Sequence, residues 1–266
     1  MAGGTKVKVV GSNFSSNGNI TCRFGENTVP AKRLSSSEVE CISPPAAQAG
    51  EVELTVQLFT GLDSAAVPFL YYNDPEVQKV DPPCGPTYGY TQLAVTGLNF
   101  VDLGRDEAMC AFRNGKDSKA LSHTGHSVIM TNATIISQTL IICDTPSLLN
   151  KQGYAVDAEG AWVEVTVSLD GGNHMSNSSA RFDYYADPVI KSVDPPLGPI
   201  KGGTLVTLNG TGFEAKAACK SVVRLGVLEV TPSSITNNTL QFRAPESPIP
   251  GTTVVSVSHN SQQFTK

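Results

Sequence analysis

The stretch from Asp74-Pro75 to Phe100 recurs, motif by motif, from Asp187-Pro188 to Phe213. Both copies run through Val-Asp-Pro-Pro (Val80 to Pro83, Val193 to Pro196) and Gly-Pro (Gly85-Pro86, Gly198-Pro199). In both, a Gly-X-Thr then opens a β-branched segment that ends in Gly-X-X-Phe, at Gly97 to Phe100 and at Gly210 to Phe213. The chain start carries the second half of this pattern, with Gly3-Gly4-Thr5, Lys6 to Val10, and Gly11 to Phe14. Phe69-Leu70-Tyr71-Tyr72 precedes Asp74-Pro75 just as Phe182-Asp183-Tyr184-Tyr185 precedes Asp187-Pro188. A chain of 266 residues holds two or three domains of ordinary size, and the repeats choose three: 1–73, 74–186 and 187–266. The first enters in mid-motif, lacking its Asp-Pro-to-Gly-Pro strand. The third stops at Phe264-Thr265-Lys266, where Phe-X-Tyr-Tyr is expected, so the chain reads as a fragment of a longer array. One residue, Asn73 or Ala186, separates Tyr-Tyr from the next Asp-Pro, and so short a joint predicts stiff, end-to-end modules.

Within the units the apolar residues alternate with period two: Val52, Leu54, Val56 and Leu58; Val163, Val165, Val167 and Leu169; Val255 and Val257. That pattern predicts strands with one core face and one wet face. With 24 Gly and 17 Pro punctuating many short segments, the fold class is all-β, about seven strands per module in the manner of a sandwich.

The series Pro-Pro-X-Gly-Pro, Gly-Gly-Thr, Gly-X-X-Phe, Cys-X-Phe-Gly and Phe-X-Tyr-Tyr resembles the IPT/TIG family of immunoglobulin-like modules, shared by plexins, Met-type receptors, fibrocystin-like proteins and many surface proteins. The resemblance covers nearly the whole chain and implies three tandem sandwiches; its motifs belong to the fold and not to an activity. The family pairs the positions held here by Cys22 and Cys41, and by Cys110 and Cys143, which implies two disulfides. By loop-closure entropy each would stabilise its module by roughly 3–4 kcal/mol. In the third copy Val223 and Phe242 stand at the matching positions, a replacement that makes sense if both point into the core. Cys84 and Cys219 are left over; nothing in the sequence brings them together, and unpaired or intermolecular use is favoured over a mutual bond.

Export is the expected setting. Disulfides belong to oxidising compartments, and six Asn-X-Ser/Thr sequons occur, at Asn13, Asn19, Asn132, Asn177, Asn209 and Asn237, as candidates for N-glycans. A net charge of −5 without a Lys/Arg cluster argues against nucleic acid as a partner. No apolar run is long enough for a spanning helix, so no membrane contact is expected within these residues.

No catalytic constellation is visible: Gly-X-Ser-X-Gly, phosphate-loop, dinucleotide and His-Glu-X-X-His motifs are all missing, and the chain is not expected to be an enzyme or to need a cofactor. His123 and His126 suggest a metal or a pH switch, but two ligands across Gly125 in an insertion read better as a solvated loop, and no metal is expected. Asp170-Gly171-Gly172 reads as a hairpin turn rather than a calcium loop. Trp162 shares its register with the outward-facing Glu164, Thr166 and Ser168. It is either a partner-binding hot spot or a ring covered by the insertion at Leu148 to Ala161. The second module is the long one, through Lys116 to Asn132 and Ser147 to Ala161, and any partner site is expected there.

The expected role is an extracellular adhesion or structural segment that recognises another protein or its own copies, or the stalk of a plexin- or Met-like receptor. An accessory carbohydrate-binding module would want several exposed aromatics rather than one Trp. The intracellular Rel-type use of the fold is opposed by charge, cysteines and sequons. The sheet edge left open by the missing first strand offers a filament contact.

Overall fold

The computed structural model describes residues 3–14, 19–58, 63–116, 118, 120–121, 127–149, 161–214 and 219–265, and every regular element among them is a strand. Backbone contacts gather these into two compact units, Met1–Asp74 and Pro75–Lys266.

The first unit contains β1 (Lys6–Val10), β2 (Ile20–Phe24), β3 (Asn27–Arg33), β4 (Glu38–Ile42), β5 (Gly50–Gln57) and β6 (Val67–Tyr71), in the order β1-β4-β3-β2-β5-β6. β3 passes from one layer to the other: Asn27–Ala31 pair with β2, and Ala31–Arg33 pair with β4. The layers close on one core that includes Cys22, Phe24, Val39, Cys41, Leu54 and Val56.

The second unit holds two sandwiches. One is built from β7 (Glu76–Asp81), β8 (Cys84–Pro86), β9 (Gln92–Leu98), β10 (Met109–Asn114), β11 (Val128–Ser137), β12 (Leu140–Asp144), β13 (Trp162–Ser168) and β14 (Ala180–Tyr185). Their order is β7-β9-β12-β11-β10-β13-β14-β8, with β11 crossing between layers as β3 does. The other has two separate sheets. The first is β15 (Val189–Asp194), β16 (Leu205–Thr211), β20 (Thr239–Arg243) and β19 (Ser234–Ile235). The second is β18 (Leu228–Val230), β17 (Val222–Leu225) and β21 (Val255–Ser258). Here the crossing strand is cut in two, and Pro232 sits in the cut, where a residue without an N–H suits a break in the ladder.

The repeated motifs have a common physical cause. A Cβ on Gly97 would overlap the carbonyl oxygen of Glu76, and one on Gly210 the carbonyl of Val189. Both glycines also lie under the ring of the Phe that ends their own motif, as Gly11 lies under Phe14. The residue before that Phe has positive φ in all three copies, 60° at Asn13, 62° at Asn99 and 75° at Gly212, which selects Asn or Gly. Gly3, Gly89 and Gly202 press against the backbone of Pro44, Pro146 and Pro245, three residues beyond Cys41, Cys143 and Phe242. The Tyr71 hydroxyl donates to the Pro44 carbonyl and the Tyr184 hydroxyl to that of Pro146, each at 3.0 Å.

Two expectations are corrected. On β13 the outward face is wet only at its start: Thr166 and Ser168 are buried, because residues 169–179 fold back beside them. Asp170 to Gly172 do turn, with φ of 70° and 89° at the glycines. The chain then runs beside β13 through Ser176, whose N–H donates to the Val167 carbonyl, before β14 begins. Phe264 also does not stand where Phe69 and Phe182 stand. The Thr265 N–H donates to Val257 and the Thr265 hydroxyl accepts from it, as Ser64 does with Val56 and Ser176 with Val167. Thr265 is thus the counterpart of Ser64 and Ser176, which stand a few residues before β6 and β14.

Replacing Gly97 by Ala should cost about 1–3 kcal/mol, because backbone rather than a flexible side chain must give way. Gly251→Ala, with nothing within 4 Å of its Cβ, should stay within about 0.5 kcal/mol. Urea unfolding of the two variants checks this, and equal effects would remove the packing explanation.

Candidate interaction surfaces and the module junction

The structure joins Cys22 to Cys41 and Cys110 to Cys143, with Cα atoms 6.3 and 6.4 Å apart, each bond crossing from one layer to the other. Val223 and Phe242, fully buried, fill the corresponding place in the third sandwich. Cys84 and Cys219 are bonded to each other, 135 residues apart in sequence, which corrects the expectation of unpaired use. Sequence could not show this, because the packing of two sandwiches, and not local spacing, brings the two together.

Around that bridge the loop after β21 grips its neighbour. Asn260 Nδ2 donates to the Cys84 carbonyl at 3.2 Å, and Gln263 Nε2 donates to the Tyr90 carbonyl at 2.8 Å. Gln262 matches the backbone of Gln92 twice, accepting from its N–H at 3.0 Å and donating to its carbonyl at 2.9 Å. His259 is buried beneath them, edge-on to the Tyr185 ring at 4.9 Å. Its Nε2 lies 2.9 Å from the Gly212 carbonyl, which can only accept. Nε2 therefore carries the proton, and Nδ1 accepts from the Ser221 hydroxyl at 2.8 Å.

Burial lowers the pKa of this imidazole, and the Gly212 hydrogen bond only partly opposes it. A histidine depressed in the folded state takes its proton first in the unfolded state. Stability is therefore full above the unfolded value of about 6.5 and declines as pH falls from there towards the folded pKa. Unfolding measured between pH 7.5 and 5 should show this decline, and His259→Gln should flatten it.

The same loop in the second sandwich has a different chemistry on the same frame. Ser168 and Asp170 bond as Ser258 and Asn260 do: Ser168 Oγ donates to Asp170 Oδ1, and Ser258 Oγ to Asn260 Oδ1. Asp170 adds a hydrogen bond between its Oδ2 and His174 Nδ1 at 2.6 Å. Burial pushes its carboxyl up, but hydrogen bonds from the His174 side chain and backbone and from Ser168 outweigh this and hold it below the usual range.

One row across the sheet is filled three ways. Arg23 pairs with Asp63 at 2.9 Å in the first sandwich. In the second, Ala111 and Met175 take those places; in the third, the Arg224 guanidinium lies 3.4 Å from the Phe264 ring centroid.

Trp162 is half-buried, at the start of β13. Its ring lies against Gly115, where any Cβ would overlap it, and the Arg181 guanidinium sits 4.5 Å from its centroid. Arg181 is itself held by Asp183, through Nε at 2.8 Å and Nη2 at 2.6 Å. The Ser118 hydroxyl donates to the Trp162 carbonyl and accepts from its N–H. Part of the insertion after β10 therefore secures the tryptophan backbone. Of the insertion Leu148 to Ala161 offered as its cover, residues 150–160 lie outside the described residues, as do His123 and His126.

All six sequon asparagines are exposed: Asn13, Asn19, Asn132, Asn177, Asn209 and Asn237. Asn209 Nδ2 reaches the Ser192 hydroxyl at 3.2 Å, a surface contact. No group of three or more His, Cys, Asp or Glu able to hold a metal occurs among the described residues.

The sequence profile described as "IPT/TIG domain" matches residues 1–71, 75–184 and 188–266. The chain belongs to the IPT/TIG domain family. Among curated relatives, Plexin-A2 of Mus musculus is 24% identical over 91% of this chain, and Plexin-A4 of Mus musculus 24% over 79%. The IPT/TIG chain spans only 12% and 11% of those proteins. Among solved structures, the Plexin A4 full extracellular region matches with TM-score 0.41 and 16% identity, over 99% of this chain and 31% of that one.

Trp162→Ser should lower stability by about 1–2 kcal/mol, less than for a fully buried ring, because Gly115 and Arg181 lose their contact. Chemical denaturation measures it; an unchanged midpoint would show that the ring contributes nothing to folding and is free for a partner.

Proposed function

We propose that these sandwiches form part of the extracellular stalk of a plexin-type receptor, a spacer that presents and orients rather than catalyses. The observation that carries this reading is the family match along the whole chain. It is joined by six exposed sequons and an oxidised bridge inside each of the first two sandwiches. Structural disulfides belong to oxidising compartments on the exported side of a membrane, where exposed sequons can also receive N-glycans. The relatives named plexin point to the same setting.

Partners in this reading are proteins: neighbouring domains of the same receptor, or a surface ligand. N-glycans on the sequons would add bulk and solubility. Recognition at Trp162 is a second reading, favoured by one observation: an aromatic and an arginine, the residue types that dominate binding energy, stacked on one another at the surface. In that case Arg181→Lys, which loses the planar stack on Trp162 but keeps a cation beside the buried Asp183 carboxylate, should weaken binding to a partner at least tenfold while costing no more than about 1 kcal/mol of stability.

Labelling intact cells with an impermeant amine reagent tests the location. The natural protein should be recovered in the labelled fraction, and peptide-N-glycosidase should increase its mobility. Recovery only after permeabilisation, with no shift, would overturn the proposal.

A further inference from the structure

We propose that the Cys84–Cys219 bridge is a redox-addressable lock, whose reduction turns a stiff joint between the second and third sandwiches into a hinge while both remain folded. The three bridges differ in access. Cys22, Cys41, Cys110 and Cys143 are between 0 and 4% exposed, each inside the core of its own sandwich, so a reductant meets them only after unfolding. Cys84 is equally buried, but Cys219 is half-buried, with the exposed Lys220 beside it. Exchange requires a thiolate to reach a sulfur, and the rate follows that access. The intermodule bridge is therefore the one that can be cut in the native state.

The chemistry closes with an extracellular dithiol as reductant. Its thiolate attacks Cys219 Sγ, a sulfur–sulfur bond forms there, and the bond to Cys84 breaks. The Cys84 sulfur leaves as a thiolate and takes a proton from solvent; its thiol has the His259 carbonyl oxygen at 3.6 Å as acceptor. The second thiol of the reductant, deprotonated, then displaces Cys219, and the reductant departs as its disulfide. Two protein thiols are gained and one dithiol is oxidised.

The consequence follows from the tethers. Two covalent connections join the sandwiches: the chain itself between Tyr185 and Val189, and the bridge on β8, which pairs in parallel with β14. Two tethers on adjacent strands resist bending, and one permits it. What remains after reduction is non-covalent: the buried contacts of His259 and Asn260, and the amide-to-backbone bonds of Gln262 and Gln263 at solvent-exposed positions, which water can replace.

The test is a dithiothreitol titration of the whole chain, quenched with iodoacetamide and read by peptide mass spectrometry, with small-angle scattering at each step. Cys84 and Cys219 should be alkylated at a concentration at least tenfold below that needed for the other four, with near-ultraviolet dichroism retained and the scattering envelope broadened. A Cys84→Ser/Cys219→Ser chain should show the broadened envelope without reductant; if it does not fold, the titration of the unaltered protein decides alone. Simultaneous reduction of all three bridges, earlier reduction of an intramodule bridge, or selective reduction with unchanged scattering would each overturn the proposal.

Discussion

Each sandwich depends on one contact at its centre, where a strand of one layer meets a strand of the other. Oxidised sulfur makes that contact between β2 and β4 and between β10 and β12; Val223 and Phe242 make it between β17 and β20. A short apolar filling and a covalent bond can occupy the same place because both satisfy one requirement, a close-packed link with no polar atom left unpaired. Strand register follows from it. Cys22 faces Val56 and Cys110 faces Val167, while Val223 faces Val257, so the rows of side chains above these positions are equivalent in all three copies.

That equivalence shows what is free to vary. Backbone contacts are held: Gly-X-X-Phe folds its ring over its own glycine, and Gly3, Gly89 and Gly202 rest on a proline that follows the central contact. Surface rows change their chemistry, from the ion pair of Arg23 and Asp63 to the stack of Arg224 and Phe264. The loop after the last shared strand changes most in use. Its Ser-X-Asx frame is the same at Ser168 and Ser258, and in the third sandwich it carries His259, Asn260, Gln262 and Gln263 onto the second.

The fold was legible in the sequence because its constraints are local: a glycine, a turn and an alternating run state their geometry in a few neighbouring residues. The inward set Val163, Val165 and Val167 is buried as its spacing requires. What the sequence concealed is non-local. Period-two alternation places Ser168 on the outer face but says nothing of a later segment folding over that face. The Phe264 motif resembled a closing strand, and only the hydrogen bonds of Thr265 show its true position. The junction was hidden for the same reason, since Gln262 and Cys84 meet only once two sandwiches have formed.

The central claim is that the same two-layer unit is closed across its middle in each copy, and that the last two copies are also fastened to one another. A peptide map of native, unreduced protein tests this most directly. The account predicts three cross-linked pairs, Cys22 with Cys41, Cys110 with Cys143 and Cys84 with Cys219, and no free thiol. A map with Cys84 or Cys219 free, or with either joined to one of the other four, would contradict it.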